Sequence, residues 1–245
     1  MSDTPLKTAV YVGTRNMYPH MAAAAKSVIC NSDIDEVYFL CEDSEFPYEL
    51  PGMIHVIDLS KQPWFSPHGP NFRLKWTWTT LLRAALAKIF PDFDLILSLD
   101  DDTLAIGDIS GIWDLPIGDN YFSASREPLK SKGGRYCEMD MFTQMGVVLY
   151  NLRQIREDHL DDRVIAELNA RFCPFAEQTV FNEMCQGRIL DMPSRYNACA
   201  YTEPCDTPLM LHYAAIPVPG WKDRPEVIQY RDMSWDEVMR RHRER

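Results

Sequence analysis

The sequence lacks several features that define familiar classes of protein. Its 245 residues contain no Cys-x-x-Cys pair, so a structural zinc site of the usual spacing is not expected. No apolar run approaches the length of a membrane-spanning helix, and the first residues show no signal-peptide pattern. We therefore expect no transmembrane segment, a cytoplasmic location, and reduced thiols at the 7 cysteines.

Positive charge is also scarce. Lys and Arg total 25 against 36 Asp and Glu, which gives a formal net charge of −11 and a pI of about 5.0. Diffuse electrostatic binding to nucleic acid is therefore not expected. A nucleotide can still bind such a chain through a metal ion and a few placed cations. The hydrophobic content of 46% is ample for the core of one large domain or two small ones.

The most informative stretch, residues 95–103, is a short apolar run that ends on Asp100, Asp101 and Asp102. The run predicts a buried strand, and open α/β sheets bind ligands beyond the carboxyl ends of their strands. Asp100 and Asp102 are two residues apart, so they project to the same side of an extended segment. Such carboxylates suit Mg²⁺ or Mn²⁺. The alternative is a solvated acidic turn.

Apolar patterning along the rest of the chain predicts an α/β fold. The β-loop-α-β opening favours a parallel sheet with helical crossovers, and a glycine inside a strand, as at Gly146, marks close approach of another group to the backbone. Strands are predicted at 8–13, 35–41, 53–59, 95–99, 120–125, 142–152, 188–192 and 208–213. Helices are predicted at 22–30, 72–90, 152–158, 163–172, 177–185 and 234–245, with a mobile loop at 128–140.

The predicted helix at 72–90 carries a polar stripe of Lys75, Thr79 and Arg83 at helical spacing. The stripe precedes the strand that ends at Asp100, so it can hold phosphate groups opposite a metal ion. A solvated helix face is the alternative, and it is favoured for Lys75. Arg83 has apolar neighbours on both sides.

The loop after the first predicted strand is where a nucleotide would lie on such a sheet. Thr14, Arg15 and Tyr18 are the groups available there. The ring of Tyr18 could stack on a base, or it could pack on its own scaffold. The sequence leaves both readings open.

In this order, the motifs resemble those of the retaining glycosyltransferases of the glycogenin and lipopolysaccharide galactosyltransferase type, glycosyltransferase family 8. The resemblance runs from about residue 8 to residue 221 and is strongest at LSLDDDTLAIGDISGIWDL. It implies a single GT-A domain with a Rossmann-like, mixed but mostly parallel sheet flanked by helices. We expect a nucleotide-binding half at 8–125, a sugar and acceptor half at 126–221, and a peripheral tail at 222–245.

The resemblance assigns roles around a metal ion. Asp100 and Asp102 fall on the family's D-x-D ligands, and His212 in LHY falls on a third ligand. One imidazole among oxygens favours Mn²⁺ over Mg²⁺. Arg83 lies at the spacing of an arginine that contacts the nucleotide sugar. Thr14 and Tyr18 fall in the loop that holds the uracil.

Other roles concern the sugar. FTQMGVVLYNL resembles the segment whose Asn contacts the donor sugar, and Gln144 stands in place of that Asn. Glu177 and Gln178 match a pair near the reactive carbon, and PSRYN matches a further family segment. The resemblance implies retention at that carbon, with Glu177 as nucleophile or with same-face attack guided by the departing phosphate. Glu177 also suits a helix N-terminus electrostatically.

Three departures from the family pattern bear on the site. Met145 is bulkier than the small residue found there in relatives, and Val218 replaces a lysine that grips the diphosphate. Lys222 can supply that charge after a one-residue shift. Asp101, often small in relatives, adds a charge that we expect to face the donor's sugar or ribose hydroxyls.

These motifs predict a metal-dependent, retaining transfer of a hexose, of the glucose or galactose type, from a UDP-sugar to a hydroxyl acceptor. The acceptor would be a glycan, a lipid-linked molecule or a protein, and the oligomeric state is open. Three alternatives are a nucleotidyltransferase, a non-catalytic UDP-sugar-binding relative, and a structural or interaction protein. The first would release pyrophosphate, the second would bind UDP without turnover, and the third would do neither.

Overall fold

The structure of the chain is a computed structural model that describes residues 5–73, 77–128, 139–214 and 220–245. Lys75, Val218 and most of the loop predicted at 128–140 lie outside the described residues. None of the described helices combines the length and the apolar character needed to cross a bilayer. The six cysteines within the described ranges are free thiols.

A mixed sheet forms the centre of the described chain. Its seven strands lie in the order β3-β2-β1-β4-β7-β6-β8. β7 runs antiparallel to its neighbours β4 and β6, and the other neighbouring pairs are parallel. The expected mixed, mostly parallel sheet is therefore confirmed. The strands are β1 Thr8–Gly13, β2 Glu36–Cys41, β3 Ile54–Asp58, β4 Leu95–Leu99, β6 Phe122–Arg126, β7 Thr143–Asn151 and β8 Ile189–Asp191.

A second, two-stranded sheet links two distant parts of the chain. β5, Thr103–Ala105, pairs antiparallel with β9, Met210–His212, and Thr103 lies opposite His212. The pattern at 208–213 predicted β9, whereas the three-residue β5 was not predicted. Because β5 begins directly after Asp102, this ladder brings the end of β9 to the acidic edge of the main sheet.

Helices cover both faces of the sheet. α1, α6 and α7 pack on one face and α2 to α5 on the other, and the central β1 and β7 are buried throughout, as is typical of strands covered on both sides. The side chain of Lys26 in α1 donates to the backbone oxygens of Arg231 and Met233, which fastens the C-terminal helices. The helices are α1 Tyr18–Cys30, α2 Leu86–Ile89, α3 Leu152–Glu157, α4 Leu160–Ala170, α5 Ala176–Met184, α6 Pro225–Asp232 and α7 Trp235–Arg243.

The α-helix predicted at 72–90 is wrong for residues 78–85, and residues 74–76 lie outside the described residues. The described residues form a 3₁₀ helix at Trp78–Ala85, which continues into the short α2. The hydroxyl of Thr80 donates to the carbonyl oxygen of Thr77 at 2.7 Å. Such side-chain bonds compete with the α-helical pattern, which explains the tighter start. α6 was not predicted, although Pro225 suits its first turn.

Candidate metal and active site

Three side chains converge at the carboxyl edge of the sheet. One ligand atom each from Asp100, Asp102 and His212 lies within 4.8 Å of the others. Nε2 of His212 is 3.2 Å from Oδ1 of Asp102 and 3.5 Å from Oδ2 of Asp100. Asp100 follows β4 and His212 ends β9, so the two sheets together build the cluster. All three residues were predicted from the sequence, and the structure brings them together.

The donor set fits a divalent cation. Among the described residues, the buried Oδ1 of Asp102 makes no hydrogen bond of good geometry, and it faces Nε2 of His212 at 3.2 Å. Burial alone lowers the pKa of His212, but Asp102 and Asp100 raise it well above its usual value. His212 also holds the pKa of Asp102 below its ordinary range, against the effect of burial. Two carboxylates and one imidazole suit Mn²⁺ or Mg²⁺, and a cation here would satisfy all three groups.

Gly146 in β7 lies directly against this cluster. A Cβ atom at this position would overlap Cε1 of His212 and would stand 2.8 Å from Oδ2 of Asp100. The predicted close approach at this glycine is confirmed. Only a residue without a side chain lets His212 and Asp100 lie this close to the sheet.

Arg83 is buried beneath the cluster, where it bridges two acids. One terminal nitrogen pairs with Asp100, and the other donates to Oε1 of Glu177 at 3.2 Å and to the carbonyl oxygen of Met145 at 3.0 Å. The guanidinium is thus held by protein groups on both sides. Its contact with the donor phosphates stays a prediction, and the structure adds the task of joining Asp100 to Glu177.

Glu177 stands in the first turn of α5 and is almost completely buried, at 1% exposure. The residue before it, Ala176, has a left-handed φ of 48°, a costly conformation that directs the chain into the helix. Burial raises the pKa of Glu177 to about 7, although Arg83 acts in the opposite direction. Glu177 is therefore a carboxyl group that can change its protonation state near neutral pH.

This shift predicts a pH dependence of stability. The folded chain holds the Glu177 proton above its ordinary pKa of 4.5, up to about 7, so this group loses stabilising effect as pH rises through that window. The full difference corresponds to about 3 kcal/mol. We expect Glu177→Gln to gain stability relative to the wild type between about pH 5 and about pH 8, as measured by urea unfolding. The exposed Glu157→Gln is the control, and parallel curves for Glu177→Gln and the wild type would contradict the prediction.

Gln178 faces the neighbouring strand ends. Its Nε2 donates to the carbonyl oxygen of Thr143 at 3.1 Å and to Oε2 of Glu127 at 3.3 Å. Glu127 follows β6 and is 1% exposed. Glu127 was not predicted from the sequence, since a single acid after a strand carries no spacing signal. Glu177 and Gln178 therefore occupy different surroundings, one beside Arg83 and the other beside Glu127.

The side-chain oxygen of Gln144 is held by protein groups, whereas its amide nitrogen faces no protein acceptor among the described residues. Oε1 accepts from the backbone N–H of Gly146 at 2.6 Å and from Nδ2 of Asn197 at 2.8 Å. Its amide nitrogen is left to donate to a ligand. Asn197 was noted only within the PSRYN segment, and no role was predicted for it.

Of the two readings left open for Tyr18, in the region after β1, the structure shows packing on its own scaffold. Tyr18 has no exposed surface, its ring packs 4.9 Å from that of Phe46, and its hydroxyl donates to Asp43 at 3.3 Å. Stacking of Tyr18 on a base is therefore wrong for this arrangement, because the ring is enclosed by its own scaffold. Thr14, almost buried, donates to Asn16 at 2.6 Å, and its contact with a nucleotide stays a prediction.

Lys222 lies ten residues after His212, and Asp101 lies between Asp100 and Asp102. Lys222 follows Trp221, whose ring stacks at 5.6 Å on that of Tyr213, the residue after His212. Burial, with Asp102 and Asp100 nearby, raises the pKa of Asp101 well above its usual value. The roles expected of both residues toward the donor stay predictions.

Two cavities lie at the same edge of the sheet. One, of about 260 Å³, is lined by Glu42 after β2, by Ser60 and by the stacked rings of Phe72 and Trp78, among others. Glu42 also accepts from the backbone N–H of Arg15, so this cavity borders the loop after β1. The other, of about 320 Å³, is lined by residues next to the ends of β6 and β8: Arg126, Asp191, Met192, Pro193, Ser194 and Glu203.

Solved glycosyltransferases share this fold. An active-site mutant of LgtC matches with a TM-score of 0.71 and 21% identity, over 92% of this chain and 94% of that one. The bifunctional glycosyltransferase WbbM gives 0.74 and 15% identity, over 98% of this chain and 52% of that one. GlyE of Streptococcus pneumoniae gives 0.67 and 19%, over 97% and 63%. The mixed sheet and its flanking helices are thus those of a GT-A glycosyltransferase.

The family follows from the sequence. The profile of glycosyl transferase family 8 matches residues 10–223, and the chain belongs to that family. A putative glycosyltransferase of Haemophilus influenzae is 23% identical over 126 residues, which cover 48% of this chain and 38% of that protein. The chain therefore aligns with little more than a third of that curated relative and with about half of WbbM.

Proposed function

We propose that the protein is a metal-dependent, retaining glycosyltransferase that moves a hexose from a UDP-sugar to a hydroxyl acceptor. The observation that carries this proposal is the cluster of Asp100, Asp102 and His212 at the carboxyl edge of a GT-A sheet. A cation held by three protein groups keeps coordination sites for phosphate oxygens. The chemistry that such a cation supplies is neutralisation of the charge that develops on the leaving UDP.

The chain's own residues orient the leaving group and the sugar. Arg83 holds Asp100 in place from below, and Lys222 adds positive charge near the diphosphate. The free amide nitrogen of Gln144 donates to a sugar hydroxyl. The contacts support this division: protein groups occupy Arg83 and Oε1 of Gln144, whereas no hydrogen bond joins the Gln144 nitrogen to a described residue.

Glu177 and Gln178 lie near the reactive carbon in this proposal. Oε2 of Glu177 is buried and has no hydrogen-bond partner among the described residues. An amide is a poor nucleophile, so a covalent route would use Glu177, and a same-face route would use the departing phosphate as the base. Arg83 binds the other oxygen of Glu177 and restrains the carboxylate in either route.

The two cavities give the substrates places to bind. We assign the nucleoside to the cavity of about 260 Å³, where the rings of Phe72 and Trp78 offer apolar surface beside the loop after β1. We assign a carbohydrate, lipid-linked or protein acceptor to the cavity of about 320 Å³. LgtC, described as a galactosyltransferase, was solved with donor and acceptor sugar analogs, which supports a donor of the galactose or glucose type. The cytoplasmic location and the division of the domain near residue 125 stay predictions.

The proposal is tested by measuring UDP release from UDP-glucose and UDP-galactose with Mn²⁺, Mg²⁺ or EDTA. We expect metal-dependent release from at least one donor in the wild type, and its loss in Asp102→Ala. Release that persists in Asp102→Ala would overturn the metal assignment. UDP binding without turnover would identify a non-catalytic relative, and pyrophosphate release would identify a nucleotidyltransferase.

A further inference from the structure

A side chain outside the metal cluster joins His212 to Gln144. Asn197 is completely buried. Its Oδ1 lies 2.8 Å from Nδ1 of His212, and its Nδ2 lies 2.8 Å from Oε1 of Gln144. We infer that Asn197 is a positioning residue that orients His212 toward the cation and Gln144 toward the donor sugar. This inference rests on the function proposed above.

The direction of each hydrogen bond follows from one backbone group. The backbone N–H of Gly146 points at the Gln144 side-chain atom 2.6 Å away. A backbone N–H can only donate, so that atom is the carbonyl oxygen of Gln144 and not its nitrogen. Asn197 must then approach the same oxygen with its own NH₂ group. The remaining atom of Asn197, a carbonyl oxygen, faces His212 and can only accept.

These hydrogen-bond directions fix which atoms His212 and Gln144 present to a cation and to a sugar. Because Asn197 accepts at Nδ1, that nitrogen of His212 carries the proton, and Nε2 is the nitrogen left to bind a cation. Nε2 is the atom that faces Asp102 at 3.2 Å. At the other end, Gln144 is held by its oxygen and presents its NH₂ group as a donor. One buried amide therefore sets the metal ligand and the sugar contact together.

The backbone around Asn197 makes this placement rigid. Its carbonyl oxygen accepts from the hydroxyl of Thr202 at 2.8 Å. The next residue, Ala198, accepts from the N–H of His212 and donates to the carbonyl oxygen of Met210, both at 3.0 Å. Asn197 is thus fastened to β9, the strand that carries His212, and the two side chains keep their relation when β9 shifts.

Two substitutions at this position separate its two contacts. Asn197→Leu removes both, and we expect Mn²⁺ affinity to fall about 10- to 100-fold, the usual cost of losing the partner of a ligating histidine. Asn197→Asp keeps an acceptor for His212 but sets a carboxylate oxygen against Oε1 of Gln144. We expect near-wild-type Mn²⁺ affinity for that variant and a raised KM for the UDP-sugar.

The experiment measures Mn²⁺ binding by titration calorimetry and by the EPR signal of free Mn²⁺, with steady-state kinetics beside it. Asn71→Leu is the matched control, since Asn71 is a buried asparagine that bonds to the chain near the end of α4. Wild-type Mn²⁺ affinity in Asn197→Leu, together with lost affinity in Asp102→Ala, would overturn the inference and leave the proposed function standing. Unchanged binding in Asp102→Ala would instead overturn the metal site itself.

Thermal melting reports whether each variant folds. If Asn197→Leu does not fold, Asn197→Asp carries the test alone. Wild-type Mn²⁺ affinity with a raised KM supports the inference, because a merely structural role would not separate the two quantities. Wild-type values of both overturn it.

Discussion

Replacing Gly146 with alanine is expected to destroy the metal site while the sheet remains folded. The added methyl group would overlap Cε1 of His212 and stand 2.8 Å from Oδ2 of Asp100. Neither neighbour can yield easily, because His212 is held by Asn197 and Asp100 by Arg83. A displacement of about 1 Å in such a site can cost about 100-fold in activity. We expect a loss of this order in both Mn²⁺ affinity and UDP release.

Calorimetric Mn²⁺ titration of Gly146→Ala checks this result. Overpacking also costs stability, about 1–3 kcal/mol, so urea unfolding should accompany the titration. Gly52→Ala is the matched control, since nothing lies within 4 Å of a Cβ at that position. A Gly146→Ala variant that binds Mn²⁺ as tightly as the wild type would show that His212 and Asp100 are not held as described.

Arg83→Met is expected to have the largest effect on stability. The substitution leaves Asp100 and the buried Glu177 without their shared cation and removes a donor from the Met145 carbonyl. Removing one partner of a buried ion pair costs about 3–5 kcal/mol when the other charge stays desolvated. Because the pKa of Glu177 is already about 7 and Arg83 holds it down, Glu177 takes up a proton in the variant at neutral pH, so we expect the full loss only well above pH 7. Urea unfolding should show a loss of this order.

A double variant isolates the cause. Arg83→Met combined with Glu177→Gln removes the uncompensated charge, so we expect it to recover a large part of the lost stability, a coupling that a double-mutant cycle measures. Arg153→Met, at an arginine on α3 with a 59% exposed side chain, is the control and should be close to neutral. If Arg83→Met unfolds at the wild-type urea concentration, the ion pair does not stabilise the fold.

The parts of the site that are local in sequence were predictable. The spacing of Asp100 and Asp102 at the end of an apolar run predicts that both carboxylates face one point. The position of Gly146 inside a strand predicts that another group approaches the backbone there. His212 could be named only through the order of motifs in a resemblance. Its position depends on the pairing of β5 with β9. Strands of three residues are too short to show a hydrophobic periodicity from which that pairing could be predicted.

Other features could not be predicted, because long-range packing decides them. The ring of Tyr18 packs against that of Phe46, and no periodicity in the sequence predicts that contact. Asn197 and Glu127 act through hydrogen bonds to residues far along the chain. The predicted helix at 72–90 has the right apolar spacing, yet the described residues Trp78–Ala85 form a 3₁₀ helix. At its start the Thr80 hydroxyl donates to the Thr77 carbonyl oxygen, a competing bond that spacing alone does not report.

The ladder of β5 and β9 has a consequence for how a cation would leave the proposed site. Each strand has three residues, which is too short to be stable by itself. A cation bound to Asp102 and His212 would close the ladder at the end where Thr103 lies opposite His212. Separation of β9 from β5 and dissociation of the ion would then be coupled. The amide hydrogens of this short sheet would exchange with solvent at a rate set by the free metal concentration.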